Sequence, residues 1–104
     1  MLLATIDTIP GKTITQCLGL VRGNTIRARH AGKDLQATLR NLVGGEITEY
    51  TKLLAESREQ ALDRMIEEAK KLGANAIVGV QFSTAEVATH AAEILAYGTA
   101  VVVE

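Results

Sequence analysis

Between Thr48 and Leu72 the chain repeats its apolar positions at helical spacing. Tyr50, Leu54, Ala61, Met65, Ala69 and Leu72 fall on one face, Leu53, Leu62 and Ile66 broaden it, and Lys, Glu, Arg and Gln fill the opposite side. Lys70 and Lys71 stand at the negative end of the dipole, and Gly73 supplies a C-cap. The period then changes. Ala74 to Phe82 (ANAIVGVQF) and Glu93 to Glu104 (EILAYGTAVVVE) are near-continuous apolar runs that predict two strands. The stretch between them, STAEVATHAA, is expected to be a loop or a wide hairpin turn.

Before the long helix the signals are shorter. Leu2 to Thr8 predicts a brief strand, and Ile9-Pro10-Gly11 ends it with turn chemistry. Lys12 to Ala28 is rich in strand formers but is interrupted at Gly19 and at Gly23-Asn24. That pattern fits either one long bulged strand, the favoured reading, or a hairpin turning at Arg22-Gly23-Asn24. Leu35, Thr38, Leu39 and Leu42 form the stripe of a first helix over about residues 33 to 43, with Asp34 in its first turn and Gly44-Gly45 stopping it. The expected fold is a single α+β domain over residues 1–104, ββααββ, a mixed sheet with helices on one face. The first long strand and the strand near residue 78 run in the same direction, and the last strand runs antiparallel to its predecessor.

This arrangement leaves surface unaccounted for. Twenty-five helical residues extend about 37 Å at 1.5 Å each, whereas a compact domain of this length is only about 34 Å across. Strands apolar on both faces need cover on both, and helices on one face supply half of it. Identical subunits that bury the second face or extend the sheet are the simplest remedy.

Composition changes the picture little. Residues of the apolar class make up 47% of the 104, yet aromatics only 3%, so the core is expected to be Ala, Val, Leu and Ile, whose small side chains let backbones approach closely. Net charge is −1 but uneven: residues 1–45 carry about +4 and residues 46–104 about −5. Complementation within or between subunits accounts for that asymmetry better than nucleic-acid binding, since almost no aromatic is present to stack on a base. No apolar run is long enough to cross a membrane and no signal peptide is indicated. Cys17 stands alone, which fits a reducing compartment, and the cytoplasm is expected.

Candidate chemistry is sparse. Cys17, His30 and His90 are the soft ligands, with carboxylates at Asp7, Asp34, Glu46, Glu49, Glu86 and Glu93. None has the spacing of a local metal motif, so these groups would meet only through the fold or across subunits. No nucleophile elbow is present and no paired carboxylates are indicated, so an enzyme is not expected. Arg58 differs from other charges of the long helix in lying close to its apolar stripe, where burial of its stem with the head in water is the favoured account and a contact with a carboxylate or a neighbouring subunit the alternative.

Read in order, these features resemble the YbjQ-like family of small uncharacterised proteins described as heavy-metal-binding. The residues that carry the resemblance are Gly11, GLVRG at 19–23, Lys33-Asp34, LVGGE at 42–46, Tyr50, Arg58 and Ala61, LGANAIVGV at 72–80 and GTAVVV at 98–103. The resemblance implies a dodecin-like subunit, a ring-shaped homo-oligomer that is commonly a pentamer, and no established enzyme activity. The family carries heavy-metal binding as an assignment, and the first reading is a binding protein, an oligomer that holds a heavy-metal ion or small ligand at subunit interfaces. Relatives often carry acidic residues just after the GANAIVGV strand, where this chain has Gln81, Phe82, Ser83 and Thr84. Cys17, His30 and His90 are therefore the candidates for a divalent transition metal, and Asp34, Tyr50 and Arg58 for other ligand contacts. The competing reading is a structural module whose ring binds another protein.

Overall fold

The computed structural model describes residues 1–28, 47–88 and 91–104. Four strands and one helix occupy them: β1 (Leu2–Leu3), β2 (Ile14–Ala28), α1 (Ile47–Lys71), β3 (Ala76–Ala88) and β4 (Ala91–Val103). The strands form one mixed sheet in the order β1-β3-β4-β2. β1 pairs parallel with β3, and β4 pairs antiparallel with both β3 and β2. β2 and β3 therefore run in the same direction, as expected, but on opposite sides of β4. The helix expected over residues 33–43 lies outside the described residues, which form a small α+β fold with one helix against a mixed four-stranded sheet.

β2 is one long strand and not a hairpin. Its register slips between Ile14 and Gln16 and between Cys17 and Gly19. Gly19, at φ +106, adopts a conformation that costs most residues strain, and there it serves the second irregularity. Gly23 has another role. A Cβ at this position would strike the backbone of α1 at Ala61 and Met65, so the missing side chain is what lets helix and strand touch. Gly79, at φ +63, sits where the β3–β4 register shifts between Val78 and Gln81.

Two expectations need correction. The loop expected at 83–92 is mostly strand, because β3 continues to Ala88 and β4 starts at Ala91. Residues 83–92 contain no Gly, Pro, Asn or Asp to break pairing, and Thr and Val favour it. At the other terminus, only Leu2–Leu3 of the expected strand forms a ladder. Backbone bonds nevertheless continue from Ala4 to Ile77, from Gly79 to Ile6 and from Val80 to Ala4, so residues 2–6 line the first half of β3.

The core has two layers. On the helix side, Ala61, Met65 and Ala69 of α1 meet Val21, Ile77, Val80, Ile94, Ala96 and Ala100. On the other side Ala76, Val78, Val101 and Val103 are buried, with Ile9 packed against them. The buried stripe of α1 repeats every four residues through Ser57, Ala61, Met65 and Ala69, all at 0% exposure. Leu54 and Leu72, expected on the core face, are exposed instead. A serine takes the place of an apolar side chain because its hydroxyl is satisfied: Ser57 Oγ donates to the Leu53 carbonyl at 3.0 Å. The Ser57 carbonyl in turn accepts from Thr25 Oγ1 at 3.3 Å, which ties α1 to β2.

Candidate functional site

Strand alternation decides which side chains can form a surface site. Along β2, Val21 and Thr25 point into the core and Gly23 lies against α1, so Leu20, Arg22, Asn24 and Ile26 face away from the helix. The register aligns each of them with a neighbour on β4 and another on β3. The rows are Leu20, Thr99 and Val78; Arg22, Tyr97 and Gln81; Asn24, Leu95 and Ser83; and Ile26, Glu93 and Ala85. Tyr97 donates its hydroxyl to Gln81 Oε1 at 3.1 Å, and Asn24 Nδ2 donates to Glu93 Oε2 at 3.2 Å. Polar groups thus run through the middle of the face, while Leu20 (62%) and Ile26 (60%) leave apolar side chains in water.

A face of this composition can hold a flat or partly apolar partner and orient it by the Tyr97–Gln81 and Asn24–Glu93 pairs. Arg64 of α1 reaches the same strand from the helix side and donates to the Asn24 carbonyl.

The residues singled out from the sequence fall in different places. Cys17 is a free, exposed thiol on β2 opposite Val101. Ala28, at the far end of the strand, is eleven positions on, about 36 Å at 3.3 Å per residue. His30 and His90 lie outside the described residues. The described residues adjoining them in sequence, Ala28 and Ala91, are register partners at that far end. Arg58 is exposed on α1. Tyr50 belongs to the first turn of α1, its side chain outside the described residues, and Asp34 lies outside them altogether. Among the described residues no three His, Cys, Asp or Glu side chains converge on a point where a metal ion could bind.

The open-face residues were not singled out from the sequence, although a signal was present. Val21, Gly23 and Thr25 alternate with Leu20, Arg22, Asn24 and Ile26, the period-two pattern that separates two faces of a strand. The apolar ends of the second set obscure the alternation.

A second feature lies on the outer side of α1, where Lys52, Ala55, Glu56, Glu59, Gln60 and Asp63 line an open groove. Its carboxylates are exposed to water with Lys52 among them. That is the composition of a solvated helix face.

Comparison with known proteins places this geometry in a wider set. A UPF0145 protein of Methanosarcina acetivorans is 59% identical over 101 residues, covering 97% of this chain and 95% of its own. A UPF0145 protein of Thermus thermophilus is 55% identical over 104 residues, covering 100% and 91%. Among solved structures, a protein of unknown function of the DUF74 family from Pediococcus pentosaceus superposes with a TM-score of 0.65 at 18% identity. It covers 100% of this chain and 98% of its own, and shows that the fold is shared. The YbjQ family model, described as "Putative heavy-metal-binding", matches residues 1–104. The chain therefore belongs to the YbjQ family.

Proposed function

We propose that the protein is a non-catalytic, cytoplasmic homo-oligomer, a pentameric ring, that binds a heavy-metal ion or small ligand at the boundaries between its subunits. Cys17, His30 and His90 supply the metal ligands, and Asp34, Tyr50 and Arg58 contact a ligand of another kind. The observation that carries the reading is the position of Cys17. Its exposed thiol stands about 36 Å of strand away from the end of β2 that adjoins His30, so a site combining them takes its ligands from more than one chain. The family description agrees with a soft-metal ligand set of thiolate and imidazole.

Calorimetry with Zn²⁺ or Cu²⁺ on the purified oligomer tests the proposal, beside native mass spectrometry for subunit number. Binding is expected, and at a hundredfold excess over Kd it should stabilise the fold by about 2.7 kcal/mol. Both effects should be lost in the triple variant Cys17→Ser, His30→Ala, His90→Ala. No heat of binding, with a triple variant that melts like the parent, overturns the metal role. A second reading, an interaction module whose ring binds another protein, draws its support from the exposed Leu20 and Ile26 on the open face.

A further inference from the structure

On the sheet face turned away from α1, Arg22 stands without a counter-charge. It is exposed, and among the described residues no carboxylate or carbonyl oxygen accepts from its guanidinium. Glu93 is the one carboxylate among the described residues of that face, and Asn24 Nδ2 holds it at 3.2 Å. Glu93 also lies two rows along β4 from Tyr97, the register partner of Arg22, which is about 13 Å of strand. The cation is therefore left to the solvent.

Its surroundings are not those of an ordinary surface arginine. Residues directly opposite in an antiparallel pair have Cβ atoms about 4.5–5.5 Å apart, so Arg22 and Tyr97 rise side by side from the face. Tyr97 is half-buried, and its hydroxyl donates to Gln81 Oε1 in the same row. That bond fixes the tip of the ring and leaves the amide nitrogen of Gln81 with its N–H donors. In the next row Leu20 is 62% exposed beside a half-buried Thr99. Successive rows are about 6.6 Å apart, about the length of two fused six-membered rings. One flat molecule of that size spans a guanidinium, an amide donor, an aromatic ring and a leucine.

We propose that Arg22, Gln81, Tyr97 and Leu20 form a binding site for a flat aromatic monocarboxylate. The Arg22 guanidinium takes the carboxylate through two parallel N–H···O bonds, the Gln81 amide donates to the same group, and the apolar body lies over Tyr97 and Leu20. The site goes beyond the metal reading, since it needs one chain and no metal ion. Charge selects a carboxylate over a phosphate. Arg22 is a single cation, whereas a phosphate monoester carries nearly two negative charges at neutral pH and would keep one unpaired. Neither half of such a ligand suffices alone. An ion pair in water contributes little, and apolar contact with an exposed leucine has no preferred direction. Together the carboxylate orients the body, and the body shields the ion pair from water.

Amide-shift titrations by NMR on the full chain, with a chelator present, test this with three probes: naphthoate, its neutral analogue naphthamide, and acetate. Naphthoate is expected to shift the amides of residues 20–24, Gln81 and Tyr97 to saturation, and to bind at least about tenfold more tightly than either other probe. Arg22→Gln should bring naphthoate down to the affinity of naphthamide and leave naphthamide unchanged. Arg22→Lys keeps the charge and loses the fork, so it should fall between the parent and Arg22→Gln. Leu20→Thr should weaken naphthoate about threefold and leave acetate unchanged. Both side chains are exposed, so these variants should melt like the parent. Equal affinity for naphthoate and naphthamide would reduce the site to apolar adhesion, and equal affinity for naphthoate and acetate would reduce it to charge alone. Either result overturns the proposal. So do shifts confined to other residues, the absence of saturation, or an Arg22→Gln chain that binds naphthoate as the parent does. Because the chelator removes metal ions, each of these outcomes leaves the metal reading where it stood.

Discussion

The two ends of the sheet share a face and are covered differently. At the end holding Ala76, Val78, Val101 and Val103, the face away from α1 is closed by the N-terminal segment, and each of these side chains is at most 5% exposed. At the other end the same face carries Leu20, Arg22, Asn24 and Ile26 in water. A single row shows the boundary: Val78 and Leu20 both align with Thr99, yet Val78 is 5% exposed and Leu20 62%. The two differ in cover and not in hydrophobicity. Ile9 and its neighbours reach the β3 side of the row, and no described segment reaches the β2 side. The contrast also bears on size, since the radius of gyration is 17.1 Å where a compact chain of this length would have about 13 Å. Among the described residues, the exposed half extends as a long ribbon with cover on one face.

The contact that holds the ribbon to its helix should be the most sensitive point of the comparison. Gly23→Val inserts a side chain where Ala61 and Met65 present backbone atoms, which cannot rotate away. α1 would have to lift off β2, exposing Ala61 and Met65 and breaking the Thr25–Ser57 bond. A loss of about 3 kcal/mol or more is expected in urea unfolding. A loss below about 1 kcal/mol would show that helix and strand are not clamped there, and the ribbon would then lack firm cover on either face.

Asn75 tests the closed end. Its side chain extends the sheet by one residue, with Nδ2 donating to the Val103 carbonyl and Oδ1 accepting from the Val103 amide, both at 2.8 Å. Asn75→Ala leaves both backbone groups in a part-buried place without these partners, at a cost of about 2 kcal/mol. At the open end Asn24→Ala removes one exposed bond to Glu93 and should change stability by less than about 0.5 kcal/mol. Thermal melts of the two variants side by side check the difference, and equal losses would erase the distinction between the halves.

Elements whose signal is local were legible in the sequence. The long helix follows from its 3.6 period, and β2 from its strand formers, with Gly19 marking an irregularity as a glycine in a strand can. Features that depend on what lies opposite were not. Gly23 looks like a turn residue until α1 is seen to rest on it. Ser57 does not look like a core residue because its satisfaction depends on a carbonyl one turn back, and Leu54 and Leu72 look like core residues although the buried stripe runs through Ser57, Ala61, Met65 and Ala69 and Leu72 lies past the end of α1. The length of the β3–β4 ribbon is hidden because Ser, Thr and Ala between apolar runs resemble a loop as much as a strand. The candidate site was the least legible part. Cys17, His30 and His90 were marked by residue type alone, whereas the open face is defined by register, which the sequence does not contain.

The smallest effect is also the one that bears on assembly. Leu20→Thr and Ile26→Thr replace apolar side chains that remain in water in the single chain, so each should alter its stability by less than about 0.5 kcal/mol. If a second copy buries them, each instead loses about 1 to 2 kcal/mol of apolar transfer within the complex. The two cases part when melting is followed at two protein concentrations a hundredfold apart. With burial, the parent melts higher at the greater concentration by mass action and the double variant loses most of that dependence. Without burial, parent and double variant respond to concentration alike. The experiment therefore tells whether a second copy covers the open half of the sheet or leaves it in water.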